Sequence, residues 1–133
     1  MTSFTFNTTL SIRMGAGLID ELGSLSKAIC GARVLLVTDP GMIATGIVDR
    51  ALSALEEAGV AVTVFSDVQA DPPESVILAA TEAARGMSGV IGLGGGSSID
   101  VAKLAALLGA GQETLKGIYG VGNAKGPRLP LIA

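Results

Sequence analysis

The residues best suited to chemistry in this sequence are three consecutive glycines, Gly94, Gly95 and Gly96, followed by Ser97, Ser98 and Asp100. They lie between an apolar run, Val90 to Leu93, and an Ala/Leu-rich run reaching Leu108, so the order reads strand, tight loop, helix N-terminus. The first turn of a helix has amide groups without intrahelical acceptors and carries a partial positive charge, which together make an anion site. Glycine suits such a loop because each missing Cβ lets the backbone come closer to a ligand. Ser97 has the side chain of an N-cap, and Asp100, three residues on, completes a Ser-x-x-Asp variant of the capping box. Lys103 is spaced for an i, i+3 ion pair with Asp100. For the glycines the alternative is a turn that only connects strand to helix. For Asp100 and Lys103 the alternative to ligand contact is a cap and an ion pair.

A second candidate is Asp39, which follows the continuous apolar run Val34-Leu35-Leu36-Val37. A carboxylate at the carboxyl end of a central parallel strand lies where open α/β sheets bind ligands. It can accept hydrogen bonds from both ribose hydroxyls and repel a 2′-phosphate; the alternative is that Asp39 caps the turn before the next helix. Histidine is absent and Cys30 is the single cysteine. Imidazole and thiolate are the usual ligands of catalytic zinc and iron, so no metal site and no catalytic residue is expected within this chain. Cys30 reads as a small buried hydrophobe.

Two familiar phosphate motifs are excluded. A Walker loop needs Gly-Lys-Ser/Thr, which occurs nowhere in the chain. A dinucleotide fingerprint starting at Gly92 meets Ser97 where its third glycine belongs, with no strand-end acid about 20 residues later. Gly15-Ala16-Gly17 is a decoy of the same kind, because the segment before it is short and amphipathic; a plain turn is the expected reading. The net charge of −3, with no basic cluster, argues against nucleic acid and anionic membrane surfaces. No secretory leader or spanning run is evident, so a cytoplasmic protein is expected.

The elements that must position these residues alternate in type. Residues 4–8 and 10–14 alternate apolar and polar positions and are expected to form a short antiparallel hairpin on the sheet edge. A helix should follow with Leu18, Leu22, Leu25 and Ile29 at helical spacing. Strands are expected at 33–39, 60–65, 90–93 and from Leu129. Helices are expected at about 43–58, after Asp71-Pro72-Pro73, and from the glycine loop to Leu108. With 49% hydrophobic residues but only 3% aromatic ones, the core must be aliphatic, which suits helices packed closely on a parallel sheet. The fold class is therefore α/β: a Rossmann-like open parallel sheet with helices on both faces, one domain over residues 1–133. The chain reads as truncated, because its last strand leads into no further element.

The pattern Gly-Gly-Gly-Ser-x-x-Asp-x-x-Lys resembles the signature of the iron-containing alcohol dehydrogenases, the group that also includes glycerol dehydrogenase and, more distantly, dehydroquinate synthase. Ile12 to Gly17, Val34 to Asp39, Val68 to Pro73 and Leu129 to Ala133 resemble that family's N-terminal domain, in the same order. The family also has the acid before the glycine loop, as here. The resemblance implies the cofactor-binding half of a nicotinamide-dependent alcohol dehydrogenase, with a small alcohol or aldehyde as substrate and a homo-oligomer as its form; the Asp39 carboxylate makes NAD rather than NADP the expected cofactor. The resemblance implies cofactor contacts at Asp39, Gly94, Gly95, Gly96, Ser97, Ser98 and Asp100. Asp71 joins them, although the family commonly has Asn at that place. The divalent iron or zinc would belong to a downstream helical domain absent from this chain. The rivals are a glycerol-type dehydrogenase or dehydroquinate synthase relative, and a non-catalytic NAD-sensing module.

Overall fold

The computed structural model describes residues 3–133. Four strands, β1 (Arg33–Val37), β2 (Ala61–Phe65), β3 (Gly89–Gly92) and β4 (Leu131–Ile132), form one sheet in the order β2-β1-β3-β4. Every pairing is parallel. Five helices surround the sheet: α1 (Leu22–Ile29), α2 (Pro40–Ala44), α3 (Ile47–Glu57), α4 (Glu74–Ala84) and α5 (Gly96–Gly109).

The central strand explains the two layers. Side chains alternate across a strand, so an unbroken apolar run fits only a strand covered on both faces. Leu35 and Val37 pack with Val90 against alanines of α4 and α5, among them Ala80, Ala84, Ala102 and Ala105. Val34 and Leu36 pack with Ile91 against Leu22, Val48, Ala51 and Leu55 of α1 and α3. Such small residues let the helices lie close to the sheet and to each other, in place of the aromatic bulk the composition lacks.

The sheet order creates the position of the site. From β1 the chain steps to one neighbour, β2, and then crosses back to β3 on the opposite side of β1. The connections leaving β1 and β3 therefore diverge at their carboxyl ends, and the crevice between them is where open α/β sheets take ligands. Asp39 follows β1 and the glycines follow β3, so this topology brings both candidates to one edge.

Three expectations need correction. Residues 4–8 and 10–14 form no hairpin: no strand occurs among the described residues before β1. Phe4, Phe6, Leu10, Ile12 and Met14 are instead 70% to 107% exposed. Alternation specifies a strand only where one face finds something to cover it, and an isolated two-stranded hairpin is marginal in water. The helix expected over 43–58 is two helices, because Gly46, in the left-handed region at φ 80°, separates α2 from α3. The helix expected after Gly17 begins as a single 3-10 turn, Leu18–Glu21, and Ile29 stays half exposed at its far end.

β3 and α5 approach each other at Gly92, where an added Cβ would lie 2.8 Å from Ala102 Cβ. Gly92→Ala is expected to lower stability by about 1–3 kcal/mol through overpacking. Gly95→Ala, with no neighbour within 4 Å of the new methyl, should cost only what alanine loses to glycine at a helix N-cap, about 0.5–1 kcal/mol and less than Gly92→Ala. Urea unfolding of the two variants checks this; equal midpoints would show that β3 and α5 are not seated as described.

Candidate functional site

The site begins with a knot of hydrogen bonds at the strand ends. Thr38, fully buried, donates from Oγ1 to the Leu93 carbonyl at 2.8 Å and from its amide to the Phe65 carbonyl at 2.9 Å. The Leu93 amide donates in turn to the Val37 carbonyl. The ends of β1, β2 and β3 are thereby fixed relative to one another just before the chain turns away.

Asp39 comes next and has extended backbone at the N-cap of α2, with Pro40 at the first helical position. Its Oδ1 accepts from the Met42 amide at 3.0 Å, so the expected alternative of a turn cap is realised. Its other oxygen, Oδ2, accepts from Ser98 Oγ at 2.8 Å. Ser98 is 1% exposed and belongs to the first turn of α5. The carboxylate therefore ties the start of α2 to the start of α5.

Gly94 is required beneath this pair. It takes φ 153°, and a Cβ there would stand 2.8 Å from Ser98 Oγ and 2.9 Å from Asp39 Oδ2. Gly95 and Gly96 differ, since nothing lies within 4 Å of a Cβ built on either. That open space is the cradle. Gly95 is the N-cap and contributes no side-chain cap, which leaves the first-turn amides of Gly96, Ser97 and Ser98 without intrahelical acceptors. The expectation that Ser97 is the N-cap, with Asp100 closing a capping box, is corrected accordingly. The glycines let the helix start two positions earlier, with Gly95 as its N-cap, and Ser97 lines the cleft instead.

The cleft measures about 250 Å³ and has Asp39, Pro40, Gly95, Gly96, Ser97 and Ser98 on one side. The segment Val68-Gln69-Ala70 closes the other. No lysine or arginine lines it, so an anion here would be held by backbone amides, the helix dipole and neutral side-chain donors such as the Ser97 hydroxyl. Gly94 is not part of the lining, although it adjoins Asp39 and Ser98. Asp71 follows the wall segment but is exposed and outside the lining, with a left-handed φ of 49°. Asp100 is exposed and pairs with Lys103 at 3.3 Å, as the ion-pair alternative expects. Gly15 to Gly17 stand apart, where Gly17 in the left-handed region precedes the 3-10 turn.

Sequence reasoning missed Thr38, Pro40 and the wall segment. Val68 carried a signal: it is the single large apolar residue in the polar loop 66–73 and is 2% exposed. Thr38 carried none, since its partner is 55 residues away. Cys30 is buried beside the Val90 and Pro130 carbonyls, and burial raises its thiol above the usual range, which keeps it protonated and unreactive. Among the described residues no three His, Cys, Asp or Glu side chains are grouped as metal ligands.

The family model for iron-containing alcohol dehydrogenase matches residues 9–133. The chain is similar to sulfoacetaldehyde reductase of Bilophila wadsworthia, with 30% identity over 132 residues covering 98% of this chain and 34% of that protein. Its structure is similar to NADH-dependent butanol dehydrogenase A from Thermotoga maritima, with TM-score 0.81 and 29% identity over 98% of this chain and 34% of that one. Sulfoacetaldehyde reductase from Bifidobacterium kashiwanohense, solved in complex with NAD+, gives TM-score 0.79 and 25% identity over 98% of this chain and 35% of that one. The chain thus spans about a third of the length of these relatives.

Gly94→Ala should be the most damaging single change in the loop. It forces a side chain into a disfavoured φ and drives a methyl between Ser98 and Asp39, at an expected cost of about 2–4 kcal/mol. Thermal unfolding reads it directly. A variant as stable as the parent would mean that the serine and carboxylate are not paired under the loop.

Proposed function

The chain belongs to the iron-containing alcohol dehydrogenase family, and on that premise we propose that it is the nucleotide-binding part of an NAD-dependent dehydrogenase acting on a small alcohol or aldehyde. The observation that carries this reading is the open helix N-terminus at Gly95 to Ser98, facing a cleft whose other residues include one carboxylate, Asp39. Free first-turn amides suit a pyrophosphate, and the bare α-carbons of Gly95 and Gly96 admit it to close range.

When bound, the nicotinamide ring supplies a hydride acceptor. The chain's own residues bind and orient. The amides of Gly96, Ser97 and Ser98 hold the phosphates, and the hydroxyl of Ser97 adds a donor at the cleft wall. Asp39 accepts from the ribose hydroxyls, because each of its oxygens keeps acceptor capacity beyond the one bond it already receives. Val68 to Ala70 cover the opposite side and limit water, with Asp71 at their rim and Asp100 one turn into α5.

The family's name implies iron, and the residues present do not fit an iron site. The sequence has no histidine, and no ligand cluster occurs among the described residues. In this reading the metal is held by residues outside this chain, and residues 1–133 contribute the cofactor site. No helix among the described residues is long and apolar enough to cross a membrane. The working form is taken to be a cytoplasmic homo-oligomer; the exposed apolar side chains at Phe4, Phe6, Leu10, Ile12 and Met14 support association.

Calorimetric titration of NAD+ into the chain tests the binding half of this reading. Gly95→Ala should weaken NAD+ by about tenfold, equivalent to about 1.4 kcal/mol, while leaving the fold intact. Equal affinities would reduce the loop to a connector. Asp39→Gly is expected to keep the start of α2, since glycine is a tolerated N-cap, at a total cost of about 1–3 kcal/mol because the bond from Ser98 is lost as well. It should narrow the preference for NAD+ over NADP+ by several-fold to a hundredfold, about 1–3 kcal/mol, by removing a like-charge contact. An unchanged ratio would leave Asp39 a turn residue and nothing more.

A further inference from the structure

We propose that Ser98 is a specificity-determining positioning residue that acts through Asp39: its hydroxyl fixes the orientation of the carboxylate that faces the ribose, and takes no direct part in holding phosphate. This rests on the nucleotide-binding reading and goes beyond it, because it divides the labour between two adjacent serines.

A single proton separates the two serines. A serine hydroxyl has one hydrogen to donate, and that of Ser98 points to Asp39 Oδ2 at 2.8 Å. A phosphate oxygen needs a donor, so while this bond stands the Ser98 side chain has nothing to offer it; only its backbone amide does. Ser97 is different. Its side chain is half-buried in the cleft wall and enters no hydrogen bond with another described residue, so its proton is available.

The Ser98 bond also restricts rotation of the carboxylate. The terminal torsion of aspartate is broad, so one hydrogen bond leaves the carboxylate plane loosely defined. Asp39 has two, on separate oxygens and from separate helices: Met42 at the start of α2 and Ser98 at the start of α5. Neither anchor can move easily. Thr38, the residue before Asp39, is bonded to Leu93 across the strand ends, and Ser98 is sealed at 1% exposure. Gly94 completes the arrangement, since any side chain there would collide with both partners. With Ser98 removed, Asp39 keeps its Met42 bond but can turn its free oxygen away from a ribose or a 2′-phosphate. Ribose recognition and phosphate rejection then weaken together.

The test is a double-mutant cycle read as the ratio of NADP+ to NAD+ dissociation constants, in the parent chain, Ser98→Ala, Asp39→Gly and the double variant, with Ser97→Ala as a further arm. Ser98→Ala should narrow the ratio by roughly threefold to tenfold, the factor that one ordinary hydrogen bond corresponds to. In the Asp39→Gly background the same change should leave the ratio unmoved, since the group it acts through is gone. Ser97→Ala should weaken both nucleotides alike. A general loss of stability would not produce this pattern, because it would move both constants together. If Asp39→Gly narrows the ratio but Ser98→Ala does not, the inference is overturned and the nucleotide reading stands. If Ser98→Ala narrows it equally in both backgrounds, Ser98 acts on the nucleotide directly and the inference is again overturned. A parent chain that binds neither nucleotide overturns the functional reading and the inference with it.

Discussion

The hydrogen bond from Ser98 to Asp39 joins residues 59 positions apart, and the geometry of the cleft depends on it. It spans the crevice between the ends of β1 and β3, where the chain leaves the sheet in two directions. A bond between a hydroxyl and a carboxylate is worth about 1–3 kcal/mol, modest beside the burial of the sheet. Its importance lies in placement. Through Asp39 it sets the start of α2, and through Ser98 it sets the start of α5, so the one acid and the free amides of the cleft are held in a fixed relation.

That relation is possible because of what lies beneath it. The core is aliphatic and rich in alanine, so α5 can lie against β3 closely enough that Gly92 and Ala102 leave no room for another methyl. A helix held that near the sheet presents its first turn directly above the strand ends. The three glycines of the loop then have three different tasks. Gly94 removes a side chain that would separate Ser98 from Asp39. Gly95 starts the helix without a side-chain cap, and Gly96 leaves the approach to its amides open. A serine or aspartate at the N-cap would stabilise α5 more, by roughly a few tenths of a kcal/mol over glycine, and would occupy the space that Gly95 leaves open before the first-turn amides.

The parallel sheet, the covered central strand and the loop-to-helix junction were legible in the sequence because each rests on a local pattern: an apolar run, a helical period, a cluster of glycines. Asp39 and the loop were identified separately, and the β2-β1-β3 order is what makes them neighbours. The N-terminal hairpin was misjudged because alternation at Phe4 to Met14 reports a face that wants covering, and nothing among the described residues covers it. Ser97 was misjudged as a cap because the pattern fits in two registers, and only the packing of α5 selects the one beginning at Gly96. The Thr38 to Leu93 bond and the Ser98 to Asp39 bond were not legible at all. Both link distant segments through side chains whose types are common in turns.

The division of labour within the protein follows from the same chemistry. In the proposed reading, a cleft lined by amides, small side chains and one carboxylate would bind and orient, while it holds no imidazole or thiolate with which to coordinate a metal or move a proton at neutral pH. The most direct measurement is the backbone amide NMR spectrum of the chain during addition of NAD+. The expected result is that the largest shifts fall on Gly95, Gly96, Ser97 and Ser98, with a second group at Asp39 to Met42. Saturable binding that leaves these amides unmoved, or no binding at all, would contradict the assignment of the α5 N-terminus as the nucleotide site.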